Sequence, residues 1–112
     1  MTFNESGYTV IKEAIPKALA EFVYNYFLIK KQVAKTMLDE KYLAPFETIF
    51  GIPEGDEQVP GAYAHYGDIA MDTLLLRVLP IMEEKTGLKL MPTYSYARIY
   101  QKGSELKRHK DR

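Results

Sequence analysis

The sequence predicts an α+β protein, because two long segments with helical periodicity precede segments with strand-like alternation. The helical segments cover residues 16–43 and 68–86, and the strand-like segments cover residues 88–100 and 105–111. A wound parallel sheet would instead alternate strands and helices regularly. The 112 residues have the length of one small domain, with a helical part at 1–87 and a strand part at 88–112.

The composition is that of an ordinary globular protein. Hydrophobic residues make up 46% of the chain and charged residues 27%, which favours a folded domain over a disordered chain. The 15 basic and 15 acidic side chains cancel, so no overall charge favours nucleic acid or an anionic membrane as a partner. The absence of cysteine excludes disulfides and thiolate ligands, and no apolar run is long enough to span a bilayer. We therefore expect a cytoplasmic protein without a signal peptide.

The first long helix is predicted over residues 16–43. Apolar residues recur there at three- and four-residue steps, and Pro16 suits the first helical turn. The helix should end before Pro45, because the residue preceding a proline is disfavoured in the α conformation. We expect its apolar stripe to pack on a sheet and its lysines, including Lys30, to face solvent. A short β-prone run at residues 8–11 predicts an edge strand before this helix.

Dense glycine and proline predict turns and a surface loop over residues 46–66, with His65 at the end. No second ligand at a recognisable spacing accompanies His65, which favours a structural or solvent-exposed role over metal or substrate binding. The second helix follows, with Asp68 as its N-cap and Gly87 as its stop. Its many apolar residues predict deep packing, and Pro80 is expected to kink or split it.

Residues 88–100 give the clearest strand prediction. The period of two places four large polar side chains on one face of that strand: Tyr94, Tyr96, Arg98 and Tyr100. The chain is expected to turn at Gly103 and to continue into the strand at residues 105–111.

The predicted last strand carries a potential metal-binding pair. His109 and Asp111 are two residues apart, so their side chains would project from the same face of a strand. With one further ligand from elsewhere, two histidines and a carboxylate form the facial triad that suits non-haem Fe(II). A His-x-Asp sequence alone also occurs as a surface pair.

The surrounding residues make the pattern more specific. From Arg98 to Asp111 they follow the order R-x-Y-x-x-G-x-x-L-x-x-H-x-D. This order resembles the 2-oxoglutarate- and Fe(II)-dependent dioxygenases, especially their prolyl-4-hydroxylase-like branch. The resemblance implies N-terminal helices packed on the first strands of a double-stranded β-helix, or jelly roll. It also implies an oxygenase that uses Fe(II), 2-oxoglutarate and O₂ to hydroxylate a C–H bond of its substrate.

The resemblance implies a role for each matching residue. His109 and Asp111 match the first two iron ligands, and Tyr100 matches the tyrosine that donates a hydrogen bond to the distal carboxylate of 2-oxoglutarate. Gly103 would allow the turn between strands, and Leu106 would pack under the site. Three residues on the face of Tyr100 would line the pocket or pack as its wall: Tyr94, Tyr96 and Arg98.

In that family the third iron ligand is a histidine that lies several dozen residues after the His-x-Asp. A basic residue that binds the carboxylate of 2-oxoglutarate follows it. No residue of this chain matches either one. We therefore expect the chain to represent the N-terminal part of a dioxygenase, a partial domain that is incomplete as a catalyst and holds iron weakly. Its unpaired strand edges are expected to associate into a homodimer or a larger oligomer.

Two other interpretations remain open at this point. The chain could be a small non-enzymatic α+β interaction module in which the His-x-Asp is incidental. Alternatively, the basic side chains at residues 102–112 could contact phosphates, but Glu105 and Asp111 dilute their charge and a solvated strand end explains them equally well. Nucleic acid is therefore not favoured as a partner.

Overall fold

The computed structural model describes residues 3–44 and 46–109. In this part of the chain it contains three helices and two strands: α1 (Phe3–Ser6), α2 (Lys17–Asp39), β1 (Tyr63–Tyr66), α3 (Ile69–Thr86) and β2 (Tyr96–Ile99). The predicted α+β class is confirmed. None of the described helices is both long and apolar enough to cross a membrane.

Helix α2 begins after Pro16, as predicted, but ends four residues before the predicted boundary. Lys41 adopts a positive φ of 60°. Its amide donates to the Leu38 carbonyl at 3.1 Å, and the Tyr42 amide donates to the Met37 carbonyl at 2.9 Å. These two bonds form a Schellman motif, which satisfies the last carbonyls of the helix and terminates it before Pro45 exerts any effect.

Helix α3 has the predicted ends. Asp68 caps it by accepting a hydrogen bond from the Met71 amide at 3.0 Å, and Gly87 ends it in the left-handed conformation at φ 72°. The helix continues through Pro80 without splitting. The predicted deep packing is wrong, because Ile69 is 85% exposed and the described part of the fold buries only the end of the helix, at Thr86.

The sheet of the described residues has two antiparallel strands. Tyr63 of β1 lies opposite Ile99 of β2, and Tyr66 lies opposite Tyr96. The strand predicted at 88–100 is therefore only four residues long. The strands predicted at 8–11 and 105–111 are not found at residues 8–11 and 105–109, because no neighbouring strand in the described part offers hydrogen bonds to them. Residues 110 and 111 lie outside the described part.

The segment at 46–66, predicted as a surface loop, is partly buried. Strand β1 occupies its end, and the Ile52 and Ala64 backbones exchange hydrogen bonds of 2.7 and 3.1 Å. Val59 and Ala62 are buried. The main core lies next to this segment, where α2 packs on the sheet around Phe27, Ala34 and Tyr63.

Candidate functional site

Strand β2 presents two chemically different faces. Ala97 and Ile99 pack toward the core under α2, whereas Tyr96 and Arg98 point to the opposite side. This alternation confirms the predicted division of the strand's residues. The second face is the one that the sequence assigned to the oxygenase pocket.

Asp56 ties the segment before β1 to this face. Arg98 Nη2 donates hydrogen bonds to Asp56 Oδ2 at 2.9 Å and to Gln58 Oε1 at 2.5 Å. The Tyr96 hydroxyl also donates to Asp56 Oδ2, and the Arg98 guanidinium lies 4.8 Å from the centre of the Tyr96 ring. The other Asp56 oxygen accepts the Val59 amide at 2.9 Å. We call the set of Asp56, Gln58, Tyr96 and Arg98 the Asp56 cluster.

The charges in the Asp56 cluster compensate each other. The hydrogen bond from Tyr96 holds the pKa of Asp56 well below its ordinary value, with burial opposing and Arg98 assisting. Burial and the Asp56 carboxylate raise the pKa of Tyr96, while Asp56 raises the pKa of Arg98. At neutral pH the cluster therefore holds a neutral phenol and a paired guanidinium. This face offers aromatic surface rather than net positive charge to a ligand.

The remaining tyrosines of the predicted pocket lie at the ends of β2. Tyr94 precedes the strand, and its ring centre lies 4.8 Å from that of Tyr66. Tyr66 also contacts Tyr96 edge to face at 6.4 Å. Tyr100 follows the strand and is exposed. Tyr94 and Tyr96 contact Tyr66 but are also exposed, so their place in a pocket or in its wall stays a prediction.

The chain turns after β2, as Gly103 predicts. Gly103 has a φ of 90°, and the Ser104 amide donates to the Gln101 carbonyl at 2.9 Å. The following described residues are in coil, and Leu106, predicted to pack under the site, is exposed. The tail thus leaves the sheet at the predicted position, but its described residues, up to 109, continue as coil rather than as the predicted strand.

His109 lies in this exposed coil. Its Nδ1 is 2.9 Å from the carbonyl oxygen of Lys107. A carbonyl can only accept, so Nδ1 carries the proton in this hydrogen bond. Asp111 lies outside the described residues, so its pairing with His109 stays a prediction. Residues 3–44 and 46–109 bring together no group of three or more side chains that could hold a metal ion.

A second polar cluster, which the sequence did not indicate, lies between α2, β1 and the start of α3. Asp68 is only 1% exposed, and its Oδ2 accepts hydrogen bonds from Lys30 Nζ and, at 2.5 Å, from the Tyr26 hydroxyl. His65 Nδ1 lies 3.6 Å from the same oxygen and forms no hydrogen bond within the described part of the chain. We call these four residues the Asp68 cluster.

Burial and pairing shift the pKa values of the Asp68 cluster in defined directions. Burial pushes the pKa of Asp68 up, but the hydrogen bonds from Lys30, Tyr26 and Met71 outweigh it and keep this pKa below its ordinary value. Burial and the bond to Asp68 raise the pKa of Tyr26 to about 12. Burial and the charge of Lys30 lower the pKa of His65. The cluster thus contains an ion pair, a neutral phenol and a neutral imidazole at pH 7.

Two predictions are corrected by this cluster. His65 lies in a strand rather than a loop and has the structural role that the sequence favoured as one alternative. Lys30, predicted to be solvated, has a side chain that is only 12% exposed. Its position four residues after Tyr26, next to the apolar stripe, is the signal that could have indicated burial. Comparison of the chain with protein-family models, with curated proteins and with solved structures finds no match.

Proposed function

We propose that this chain is part of a non-haem Fe(II)- and 2-oxoglutarate-dependent oxygenase of the hydroxylase type. The observation that carries the proposal is the order of Arg98, Tyr100, Gly103 and His109 along one strand, one turn and one tail. Tyr100, Gly103 and His109 each match a residue with a role in that family, which makes the pattern more specific than a His-x-Asp pair. In this proposal β1 and β2 belong to the beginning of a jelly roll on which α2 packs.

The hydrogen bond of His109 supports its role as a ligand. Histidines that bind metals commonly donate their second ring nitrogen to a carbonyl, which fixes the ring and directs the lone pair to the metal. The contact between His109 Nδ1 and the Lys107 carbonyl, at 2.9 Å, is of this kind and supports the proposal. Asp111 would supply the carboxylate, and Tyr100 would donate a hydrogen bond to the distal carboxylate of 2-oxoglutarate. Bound iron would supply the activation of O₂ for hydroxylation.

The chain is proposed to contribute two of the three iron ligands, so metal binding rather than turnover is the appropriate test. A nitrogen-15-labelled chain would be titrated with Mn(II), with and without 2-oxoglutarate, and followed by NMR. We expect paramagnetic broadening centred on residues 106–112. His109→Ala and Asp111→Asn should each weaken the binding by about tenfold or more, as is common when metal sites are disturbed.

Asp39→Asn is the matched control for Asp111→Asn, because Asp39 is an exposed carboxylate at the end of α2. It should leave the titration unchanged. Broadening that is centred on other carboxylates, or that persists in His109→Ala, would exclude the tail as a metal site and with it the proposed oxygenase.

A non-enzymatic interaction module is the second candidate. It is favoured by a groove of about 470 Å³ along α2, whose lining includes Phe22 and Ile29. These two side chains are 66% and 63% exposed, respectively. Contiguous exposed apolar side chains commonly mark protein interaction sites. A chain that binds no Mn(II) at its tail but retains this surface would fit the second candidate.

A further inference from the structure

Strand β2 has an unpaired edge in the described part of the sheet. Its other edge pairs with β1, whose far side is covered by the bridge between Ile52 and Ala64. The Gly67 amide donates to the Ser95 carbonyl at 2.9 Å, so the pair of Tyr66 and Tyr96 is of the non-hydrogen-bonded type. The amides of Tyr96 and Arg98 must then point away from β1. Such an edge is a template for another strand.

Helix α2 lies next to the end of β2. A groove of about 330 Å³ lies between the helix and the end of β2, and α2 contributes Tyr24 and Leu28 to its lining. Tyr24 is 66% exposed, and Leu28 is also exposed. A strand added next to β2 would lie under these side chains and cover them. In a sheet widened by a second copy, α2 of each copy would form half of the helical layer that packs on the sheet.

We propose that this edge binds the β2 strand of a second copy of the chain, in antiparallel orientation and with the two-fold axis at Ala97. The two sheets would join into one sheet of four strands. The residues around β2 are self-complementary in this register. Tyr96 lies opposite Arg98 of the partner subunit, and Tyr94 lies opposite Tyr100 of the partner subunit. Cation–π and aromatic pairs of this kind stabilise neighbouring strands.

The neighbouring registers are less favourable. A shift by two residues in one direction places Arg98 opposite Arg98 of the partner subunit, and like charges directly opposite each other destabilise a sheet. A shift in the other direction places Pro92 opposite Tyr100 of the partner subunit, where proline has no N–H to donate. The register centred on Ala97 avoids both problems.

Charge and shape are compatible with this pairing. Each Arg98 is already paired with its own Asp56, so two copies bring no net charge together. The strand residues that line the groove, 98–100, all lie on one side of Ala97. Because the paired strands run antiparallel, the grooves of the two copies would lie on opposite sides of Ala97.

A single cysteine tests the register directly, since the chain contains no other. At the axis, the Cα atoms of residue 97 in the two copies would form a non-hydrogen-bonded pair about 4.5 Å apart, within the range of a disulfide. Mild oxidation of Ala97→Cys should give a disulfide-linked dimer in high yield. Ala14→Cys, at a similarly half-buried alanine, is the matched control and should remain largely monomeric under denaturing electrophoresis. Equal yields for the two variants would overturn the proposal.

Charge substitutions test the same interface without a covalent bond. By sedimentation equilibrium we expect twice the 12.9 kDa mass of one chain. Tyr94→Lys combined with Tyr100→Lys should weaken the dimer at least tenfold. In this variant the lysine at position 94 of each copy faces the lysine at position 100 of the other copy. Tyr94→Lys combined with Tyr100→Glu should restore it. Residues 94 and 100 lie at opposite ends of β2, so such rescue requires two copies.

Tyr42→Lys, a change at an exposed tyrosine far from β2, should leave the dimer unaffected. Circular dichroism would verify that each variant is folded. A chain that stays monomeric at high concentration, or a Lys/Glu variant as weak as the Lys/Lys variant, would refute the pairing. Neither experiment depends on metal, so this inference and the proposed oxygenase can fail separately.

Discussion

At the residue scale, Asp68 stabilises more of the fold than a helix cap alone would. Its carboxylate caps α3 and also holds Tyr26 and Lys30 of α2. A buried lysine is costly unless it is paired, so Asp68 compensates a charge that α2 brings into the interior. The tertiary partners of Asp68 lie about 40 positions away, and no local pattern in the sequence links them.

Asp68→Asn should therefore destabilise the protein strongly. The amide preserves the shape of the side chain but leaves Lys30 buried without a counter-ion, which commonly costs about 3–5 kcal/mol. Urea unfolding followed by circular dichroism measures the loss. Adding Lys30→Met to Asp68→Asn should recover much of it, because the unpaired charge is then gone. Asp39→Asn should change the free energy of unfolding by less than about 0.5 kcal/mol. A loss below that value for Asp68→Asn would contradict the assigned role.

At the scale of elements, local signals predicted the two long helices well, but they missed the short α1 and predicted the strands poorly. Apolar periodicity and the cap residues Asp68 and Gly87 act within a few positions, so they are visible in the sequence. Strand β1 depends on β2, which follows 30 residues later, and the glycines and prolines around β1 concealed it. The early end of α2 depends on a positive φ at Lys41, a residue type that gives no signal for it.

The segment before β1 should behave as a packed element rather than as a mobile loop. Gly55 and Gly61 both have positive φ, at 77° and 82°, so alanine at either position costs roughly 1–2 kcal/mol of backbone strain. At Gly55 an added Cβ would also lie 2.6 Å from the carbonyl oxygens of Val59 and Ala62, whereas at Gly61 it meets no atom within 4 Å. Gly55→Ala should thus lose about 1–3 kcal/mol more than Gly61→Ala in urea unfolding. Equal losses would show that this segment is loosely packed.

At the scale of the whole molecule, the sequence predicted which residues form the candidate site but only part of their arrangement in space. Arg98 and its strand face were correctly placed, because a period of two fixes which side chains share a face. Asp56 was missed, since an acidic residue among glycines in the sequence is typical of an exposed turn. Its contact with Arg98 spans 42 positions and exists only once β1 and β2 have paired. Long-range pairing, rather than local propensity, determines the surroundings of the site.

The two polar clusters should make the whole molecule most stable near neutral pH. On the acid side, the unfolded state protonates histidine near its ordinary pKa of 6.5, whereas the folded state holds the pKa of His65 lower. Stability should then fall as pH drops below about 7, because the unfolded state binds more protons. The lowered pKa values of Asp56 and Asp68 add a further loss below the ordinary carboxylate value of 3.8.

On the alkaline side, the raised pKa of Tyr26 also leads to a loss of stability. Here the unfolded state loses a proton that the folded state retains. The unfolded state releases the phenol proton near pH 10, whereas the folded state keeps it until about pH 12. Stability should therefore fall as pH rises above 10. Urea unfolding midpoints at pH 5, 7, 9 and 11 would measure both sides. Tyr26→Phe should reduce the loss of stability between pH 9 and 11 because it removes one titrating phenol, whereas Tyr42→Phe, at an exposed tyrosine, should leave the curve unchanged. Part of the loss should persist in Tyr26→Phe, because burial also raises the pKa of Tyr63 and of Tyr96. If Tyr26→Phe retains the full alkaline loss, the Asp68 cluster is not its source.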